Sequence, residues 1–329
     1  MVWLKLIFCI LVIFLSGRKV AKYGDIIAEK TGLGGVWIGL VLIAMLTSLP
    51  ELFNGVSAVR LVDAPDLTVG DLLGANMFNM FNLALLDLFH SNGSLLAVVG
   101  RNHRLTGAFS LLLVLLVGVF ILASRAYTFS IGWIGWYTPL IIILYLVFVR
   151  ILFLAERRQP SFQEAELIYG DVPKGKAYLY FAISAVFIIG AGIWLAFVGD
   201  EIAQVHGWGQ SFVGTLFLAF TTTLPEITVS FAAMRLGAND LAVANMIGSN
   251  LFNMTIISID DLLYLGGPIL ASVSKAHLAT ALTVTLMTLI FIAALSFKPA
   301  RFFRLSWWSL AMILLFIIGV YLSSPWAGG

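Results

Sequence analysis

Leu46-Thr47-Ser48-Leu49-Pro50-Glu51 is answered 175 positions later by Thr221-Thr222-Thr223-Leu224-Pro225-Glu226. Each copy sets hydroxyls, a proline and a carboxylate inside an apolar run. A carboxylate at membrane depth is unfavourable by about 2.5–3.5 kcal/mol on insertion scales. Two of them in matching places point to a site, and the rest of the chain reads as the apparatus that brings the two stretches together.

The similarity extends outward from these stretches at the same offset. Gly24-Asp25-Ile26-Ile27-Ala28 matches Gly199-Asp200-Glu201-Ile202-Ala203; Gly32, Gly34 and Gly39 match Gly207, Gly209 and Gly214; Arg60 matches Arg235. After one residue of slippage, Asp66-Leu67 matches Asp240-Leu241, Gly74-Ala75-Asn76-Met77-Phe78-Asn79-Met80 matches Gly248-Ser249-Asn250-Leu251-Phe252-Asn253-Met254, and Asp87 matches Asp261. Apolar helices resemble one another by chance in Leu and Val, but not in Pro, Glu, Asn and Asp taken in order. The chain is an internal duplication.

The 329 residues are 60% hydrophobic and 11% charged, against about 25% charged in an ordinary soluble domain. This is the composition of an all-α, multi-pass integral membrane protein, with the lipid bilayer as its surroundings. The net charge of +2 gives no argument for a nucleic-acid partner. The single cysteine, Cys9, excludes an intrachain disulfide. Lys5 ahead of an apolar stretch mimics a signal peptide, but no small-x-small cleavage pattern follows. The segment is read as a retained first span.

A spanning helix needs about 20 mostly apolar residues. Ten spans are expected, at roughly 2–17 (extending toward 29), 34–59, 67–89, 105–124, 129–150, 177–199, 211–234, 241–264, 268–296 and 303–323. The polar segment 156–176, with two prolines, is the expected cytoplasmic connector between a first five-helix repeat (1–155) and a second (177–329). Of the nineteen Lys and Arg residues, fifteen fall in alternate loops (Arg18, Lys19, Lys22 and Lys30 in the first) and four on the other side (Lys5, Arg60, Arg125 and Lys275). Positive charge marks the cytoplasmic face, so both termini are expected outside the cytoplasm. Five spans per copy is an odd number. The copies therefore enter the membrane from opposite sides, as inverted-topology repeats, and in such proteins the substrate site lies at the repeat interface near the midplane.

Proline removes a helix hydrogen bond, so Pro50 frees the carbonyl of Leu46 and Pro225 that of Thr221. Thr47, Ser48 and Glu51 share a helix face by their spacing, as do Thr222, Thr223 and Glu226. The result is a set of oxygen ligands only: carboxylates, hydroxyls, carbonyls and the amides of the asparagine stretches. Calcium takes about six to eight oxygens in flexible geometry, and sodium accepts such a cage too. No Cys/His cluster suits zinc or copper. Gly74 and Gly248 allow a close helix approach. Asn76 and Asn250 are either ligands or interhelical glue. Asp66 and Asp240, each opening an apolar run, are expected as helix N-caps. Asp87 and Asp261 are read as proton carriers, ion-pathway residues or partners for hydroxyls, or else as helix ends touching water.

These motifs resemble the two alpha-repeats of the cation/calcium exchanger superfamily, G-T-S-L-P-E followed by G-N-x-x-G-S-N-x-x-N/D. The repeats fall here at about 40–90 and 215–264. The resemblance implies that Thr47, Ser48, Glu51, Thr222, Thr223 and Glu226 are central cation ligands, with Glu51, Glu226, Thr47 and Thr222 on the metal, and that Asn79, Asn253 and Ser249 complete the set. It implies alternating access in which the first and sixth helices slide over the core. It also implies a secondary antiporter in a cell membrane that carries calcium against sodium, with no enzymatic activity and no cofactor beyond the transported ions. No H-E-x-x-H run or G-x-S-x-G elbow argues for an enzyme. A monomer is an expectation that the sequence alone does not decide.

Three departures bear on the coupling ion. Leu46 and Thr221 replace the family's glycine, Ala75 replaces a serine that could ligate sodium, and Asp71 replaces the usual asparagine that Asn245 keeps. One calcium neutralises Glu51 and Glu226, and so do two protons. Proton/calcium antiport is therefore the alternative, with Asp71, Asn76, Asp87, Asn250 and Asp261 as accessory or proton-linked candidates.

Overall fold

The computed structural model describes residues 1–31, 43–90, 93–124, 130–157, 172–235, 237–297, 301–302 and 305–324. The expected start of the second span, the glycines at 32, 34 and 39, and most of the connector (158–171) lie outside the described residues. The long helical segments are α1 (Val2–Thr31), α2 (Leu49–Ser57), α3 (Pro65–Phe89), α4 (His103–Ala123), α5 (Tyr137–Arg157), α6 (Lys174–His206), α7 (Leu224–Arg235), α8 (Asn239–Leu263), α9 (His277–Ser296) and α10 (Trp307–Ser323). Among the described residues, six (α3, α4, α5, α6, α8 and α9) are long and apolar enough to cross a membrane, and a seventh if Gln210–Thr222 and α7, bent by 43°, form one span.

Both proline stretches break their helices as the sequence suggests. Ala44–Thr47 is separated from α2 by Ser48 (φ −86°, ψ 13°), and Ala219–Thr222 from α7 by Thr223 (φ −79°, ψ 0°). Short π-helical turns flank the breaks, Ala58–Val62 after the first and Gly214–Leu218 before the second. Such turns mark ladders interrupted at functional positions.

α3 and α8 form the centre and are the most buried of the spans. Gly74 of α3 meets the Gly214–Leu218 turn: a Cβ there would stand 2.5 Å from the carbonyl oxygen of Thr215. α1 and α6 pack on each other at the outside of the molecule and are tied by a 2.5 Å ion pair between Lys5 and Glu201. Cys9 and Ile13 of α1 are fully buried in this contact region. Leu4, Ile7 and Phe8 of α1 and Val186 and Phe187 of α6 are exposed, as expected of a surface solvated by lipid.

Several expected boundaries need correcting. The fifth span starts at Tyr137 rather than near 129, because Ser130–Ile131 (β1) pairs antiparallel with Ile134–Gly135 (β2), Ser130 opposite Gly135. The last helix starts at Trp307, after Arg301–Phe302 (β3) pairs with Leu305–Ser306 (β4), Arg301 opposite Ser306. The expected span 268–296 is a short helix, Ile269–Ser272, then a break, then α9.

Asp87 and Asp261 account for these breaks. Asp87 accepts hydrogen bonds from Ser94 Oγ (2.7 Å), Leu95 N (2.7 Å), Ser306 N (3.2 Å) and Ser309 Oγ (2.7 Å). Asp261 accepts them from Ile269 N (2.6 Å), Gly135 N (2.8 Å), Thr138 Oγ1 (2.5 Å) and Tyr137 OH (3.1 Å). Each carboxylate holds the N-terminus of the short helix eight residues downstream, Leu95–Val98 and Ile269–Ser272. Each also holds the hairpin end and first turn of the last helix in the other half. The first N–H groups of a helix have no intrahelical partner, and these carboxylates supply one. Both are fully buried and partner hydroxyls rather than meeting water at a helix end.

The expected N-caps are also corrected. Ala64 and Ala238 occupy the cap positions, and the aspartates lie inside the first turn. There their side chains reach across to the opposite half. Asp66 Oδ1 accepts from Ser274 N (2.7 Å) and lies 2.7 Å from His277 Nε2. Asp240 Oδ1 accepts from Gly100 N (2.6 Å) and lies 3.0 Å from His103 Nε2. A carboxylate in a first turn still favours the positive end of the dipole without capping its own helix.

Candidate cation site

The two broken helices and the two central helices meet at mid-chain positions of α3 and α8. The carboxylate of Glu51 opens α2 and that of Glu226 opens α7, and both are fully buried. Glu226 Oε1 accepts from Ser48 Oγ (3.1 Å) and Ser249 Oγ (3.3 Å). Its Oε2 has no hydrogen-bond partner among the described residues, and neither does either oxygen of Glu51. Thr222 lies beside Glu51 and Thr47 beside Glu226. Each half therefore supplies a hydroxyl next to the other half's carboxylate.

The asparagines divide into two roles. Asn76 and Asn250 face each other across α3 and α8: Asn76 Nδ2 donates to the Asn250 carbonyl (3.1 Å) and Asn250 Nδ2 to the Asn76 carbonyl (3.4 Å). Their side-chain oxygens then accept from the second pair, Asn250 Oδ1 from Asn79 Nδ2 (3.0 Å) and Asn76 Oδ1 from Asn253 Nδ2 (3.1 Å). This leaves Oδ1 of Asn79 and Oδ1 of Asn253 buried and without a partner among the described residues. A polar oxygen left so is unfavourable by about 1–3 kcal/mol. Asn76 and Asn250 are thus the glue, and they fix the orientation in which Asn79 and Asn253 present oxygen.

The other hydroxyls are held against backbone. Thr223 Oγ1 donates to Ala219 O (2.7 Å). Thr47 Oγ1 lies 3.1 Å from Ile43 O, 3.3 Å from Asn245 Oδ1 and 3.4 Å from Ser249 Oγ. A hydroxyl that donates its hydrogen keeps its lone pairs for a cation.

Asp71 and Asn245 occupy corresponding places and behave differently. Asp71 Oδ1 accepts from Thr222 Oγ1 (2.9 Å) and Oδ2 from Asn54 Nδ2 (2.6 Å). Asn245 Nδ2 donates to Ser230 Oγ (3.0 Å) and to the Glu226 carbonyl (3.3 Å). Asp71 is thus a third buried carboxylate, within Coulombic range of Glu51 and Glu226, and its own donors satisfy it. Asp87 and Asp261 are engaged at the helix ends described above.

Two polar residues went unnoticed in the sequence. Asn54 lies one turn after Glu51 on the same face of α2, and that spacing could have marked it; its Oδ1 is buried and unpartnered among the described residues. Asp260 is hidden beside the symmetric Asp261 and has no counterpart in the first half. Among the described residues no group of three or more His, Cys, Asp and Glu converges as a metal site. Any cation held here would draw on hydroxyl and amide oxygens as well as carboxylates, the donor chemistry of hard cations.

A family model described as sodium/calcium exchanger protein matches residues 1–154 and 176–324. The inner membrane protein YrbG of Escherichia coli (strain K12) is 26% identical over 257 residues, 77% of this chain and 76% of its own length. Among solved structures, the sodium-calcium exchanger NCX_Mj soaked with sodium and strontium superposes with a TM-score of 0.62 at 20% identity, covering 98% of this chain and 99% of its own. The H+/Ca2+ exchanger CAX superposes with a TM-score of 0.74 at 14% identity, covering 98% and 84%. At these identities the two likenesses show the fold.

Proposed function

The chain belongs to the sodium/calcium exchanger family of membrane transport proteins, and from that premise we propose that it is a cation/calcium antiporter that carries calcium in exchange for sodium. The observation that carries this reading is the set of buried oxygens without partners among the described residues on the broken helices and the central pair: both of Glu51, Oε2 of Glu226, and Oδ1 of Asn79 and Asn253. Thr47, Ser48, Thr222, Thr223 and Ser249 add hydroxyl oxygens around them. One divalent cation matches the charge of Glu51 and Glu226. Sodium ions on the same oxygens would exclude it, which is the condition for exchange rather than leak.

The layout supports ten spans as two inverted five-helix repeats, 1–155 and 177–329. The evidence is the pairing of features half against half: the breaks at Ser48 and Thr223, the crossed Asn pairs, and the Asp87 and Asp261 anchors. The excess of Lys and Arg in alternate loops supports a cell-membrane protein with both termini outside the cytoplasm. α1 and α6 are the helices that would slide over the core to expose the site to one side and then the other. This reading makes the protein a transporter that moves ions without covalent chemistry.

A second reading, calcium/proton antiport, is favoured by Asp71, a third carboxylate where an asparagine would leave the charge lower, and by Ala75, which offers sodium no hydroxyl. Radiocalcium uptake into proteoliposomes separates the two. Uptake driven by an outward sodium gradient alone supports the first. Uptake driven by an outward proton gradient alone replaces it with the second. No uptake under either gradient overturns calcium as the cargo.

A further inference from the structure

Asp260 lies near the end of α8 and breaks the symmetry of the molecule. Its side chain is fully buried. Oδ2 accepts from Thr68 Oγ1 at 2.6 Å, and Oδ1 has no hydrogen-bond partner among the described residues. The backbone of α2 comes directly against it at Gly55. A Cβ there would stand 2.5 Å from Asp260 Oδ2 and 2.7 Å from Thr68 Oγ1.

The corresponding positions in the other arrangement of halves are Leu86 for Asp260, Ala242 for Thr68 and Ser230 for Gly55. There Ser230 Oγ donates to the Ala242 carbonyl at 3.0 Å and accepts from Asn245 Nδ2 at 3.0 Å. Three positions therefore differ together: an acid, a donor to that acid, and a glycine that makes room for both. Duplication alone would have left them matched. Three residues beyond Asp260, at the exposed rim, Arg60 Nη1 donates to the carbonyl of Leu263 at 3.3 Å.

We propose that Asp260 is a proton-binding station at one end only of the transport core, loaded and unloaded as the cation site changes charge. Steric and coordination arguments select the proton over a metal ion. The Thr68 hydroxyl already donates to the acid, the Gly55 backbone closes one side, and a hard cation needs several further oxygens. A bare carboxylate oxygen in a dry interior is unfavourable until a positive charge or a proton covers it.

The charged and titratable groups around it include Asp71 of α3 and Asp261 on its own helix. Arg60, after α2, faces the rim, and Tyr137 of α5 donates to Asp261. When a divalent cation reaches the central carboxylates its charge opposes that proton. The O–H bond on Oδ1 breaks, the proton passes to water at the Arg60 rim, and it returns from water when the cation leaves. No other bond changes.

This rests on the antiporter reading for its coupling, but the station itself can be read without transport. Infrared difference spectra of the purified full chain, wild type minus Asp260→Asn, should show the carbonyl stretch of a protonated carboxylic acid at mildly acidic pH. That band should diminish as pH rises and on adding calcium. In Thr68→Val, which removes the hydroxyl donor but keeps the acid, the band should move to higher frequency. In proteoliposomes Asp260→Asn should flatten the pH profile of calcium uptake. A difference spectrum showing only an ionised carboxylate at every pH, or an acid band that pH does not move, overturns the proposal. So does an unchanged pH profile in Asp260→Asn. If the wild type carries no calcium at all, the antiporter reading fails, and the infrared titration alone decides for or against the station.

Discussion

Gly17 of α1 lies against Pro225 of the second broken helix so closely that a Cβ at position 17 would stand 2.5 Å from the proline Cγ. The corresponding Gly192 of α6 lies against the first broken helix, where a Cβ would be 3.3 Å from the Pro50 carbonyl oxygen. The outer helices thus bear on the prolines of the opposite halves, next to the carboxylates those prolines precede. Motion of α1 and α6 has a direct route to the site.

Gly17→Ala should therefore slow calcium uptake strongly while the protein still purifies as a folded species, because the added methyl forces α1 away from a ring that cannot turn aside. Gly190→Ala is the control. A Cβ there meets nothing within 4 Å, and Ala favours a helix by about 1 kcal/mol over Gly. Uptake rates and thermal unfolding of the two variants, measured side by side, check the point.

Glu51→Gln or Glu226→Gln should reduce calcium binding by about 100-fold or more, since losing one charged ligand is worth about 3 kcal/mol. Neither variant should be less stable than wild type, because removing a buried charge relieves desolvation. Calcium titration by calorimetry and a thermal melt without calcium read the two effects separately.

Asp71→Asn should fold normally. The new amide would face the Asn54 amide nitrogen, but Asn54 Oδ1 is unpartnered among the described residues, so a flip of Asn54 restores the bond. The variant should shift coupling from protons toward sodium, as should Ala75→Ser, which supplies a hydroxyl at the place Ser249 holds in the second half. Calcium uptake at fixed pH against increasing sodium gradients measures this; unchanged sodium dependence in both variants would remove Asp71 and Ala75 from the coupling mechanism.

Asp87→Asn and Asp261→Asn should each destabilise the fold by about 1–3 kcal/mol, the cost of a buried polar group left without its partner, because an amide turns donors toward groups that already donate. The melting temperature should fall in each, with the pH profile of uptake keeping its shape. A shifted pH profile at wild-type stability would instead make them proton carriers.

Much of this was open to reading in one dimension. The two L-P-E stretches, the hydroxyls before them and the asparagine runs are short-range patterns, and polar groups in an apolar chain are conspicuous because membrane depth penalises them. Duplication made the pairs visible by matching each half against the other. The same reasoning had to miss Asp260 and Thr68, which have no counterparts, and it misplaced the start of the fifth and last helices, whose ends are set by Asp87 and Asp261 from the opposite half.

Composition, spacing and residue chemistry are local properties, and they were enough to read a membrane-embedded, duplicated chain with oxygen-bearing side chains at matched places. Packing settled which asparagine oxygens are engaged and which are left without a partner among the described residues, and that Asp66 and Asp240 reach across the halves rather than cap their own helices. It also engaged Asp71 with Asn54 and Thr222 while leaving both oxygens of Glu51 without a hydrogen-bond partner among the described residues. A hydrogen bond is engaged or free only relative to a partner that packing brings from far away in the chain, and no spacing in the sequence states that distance.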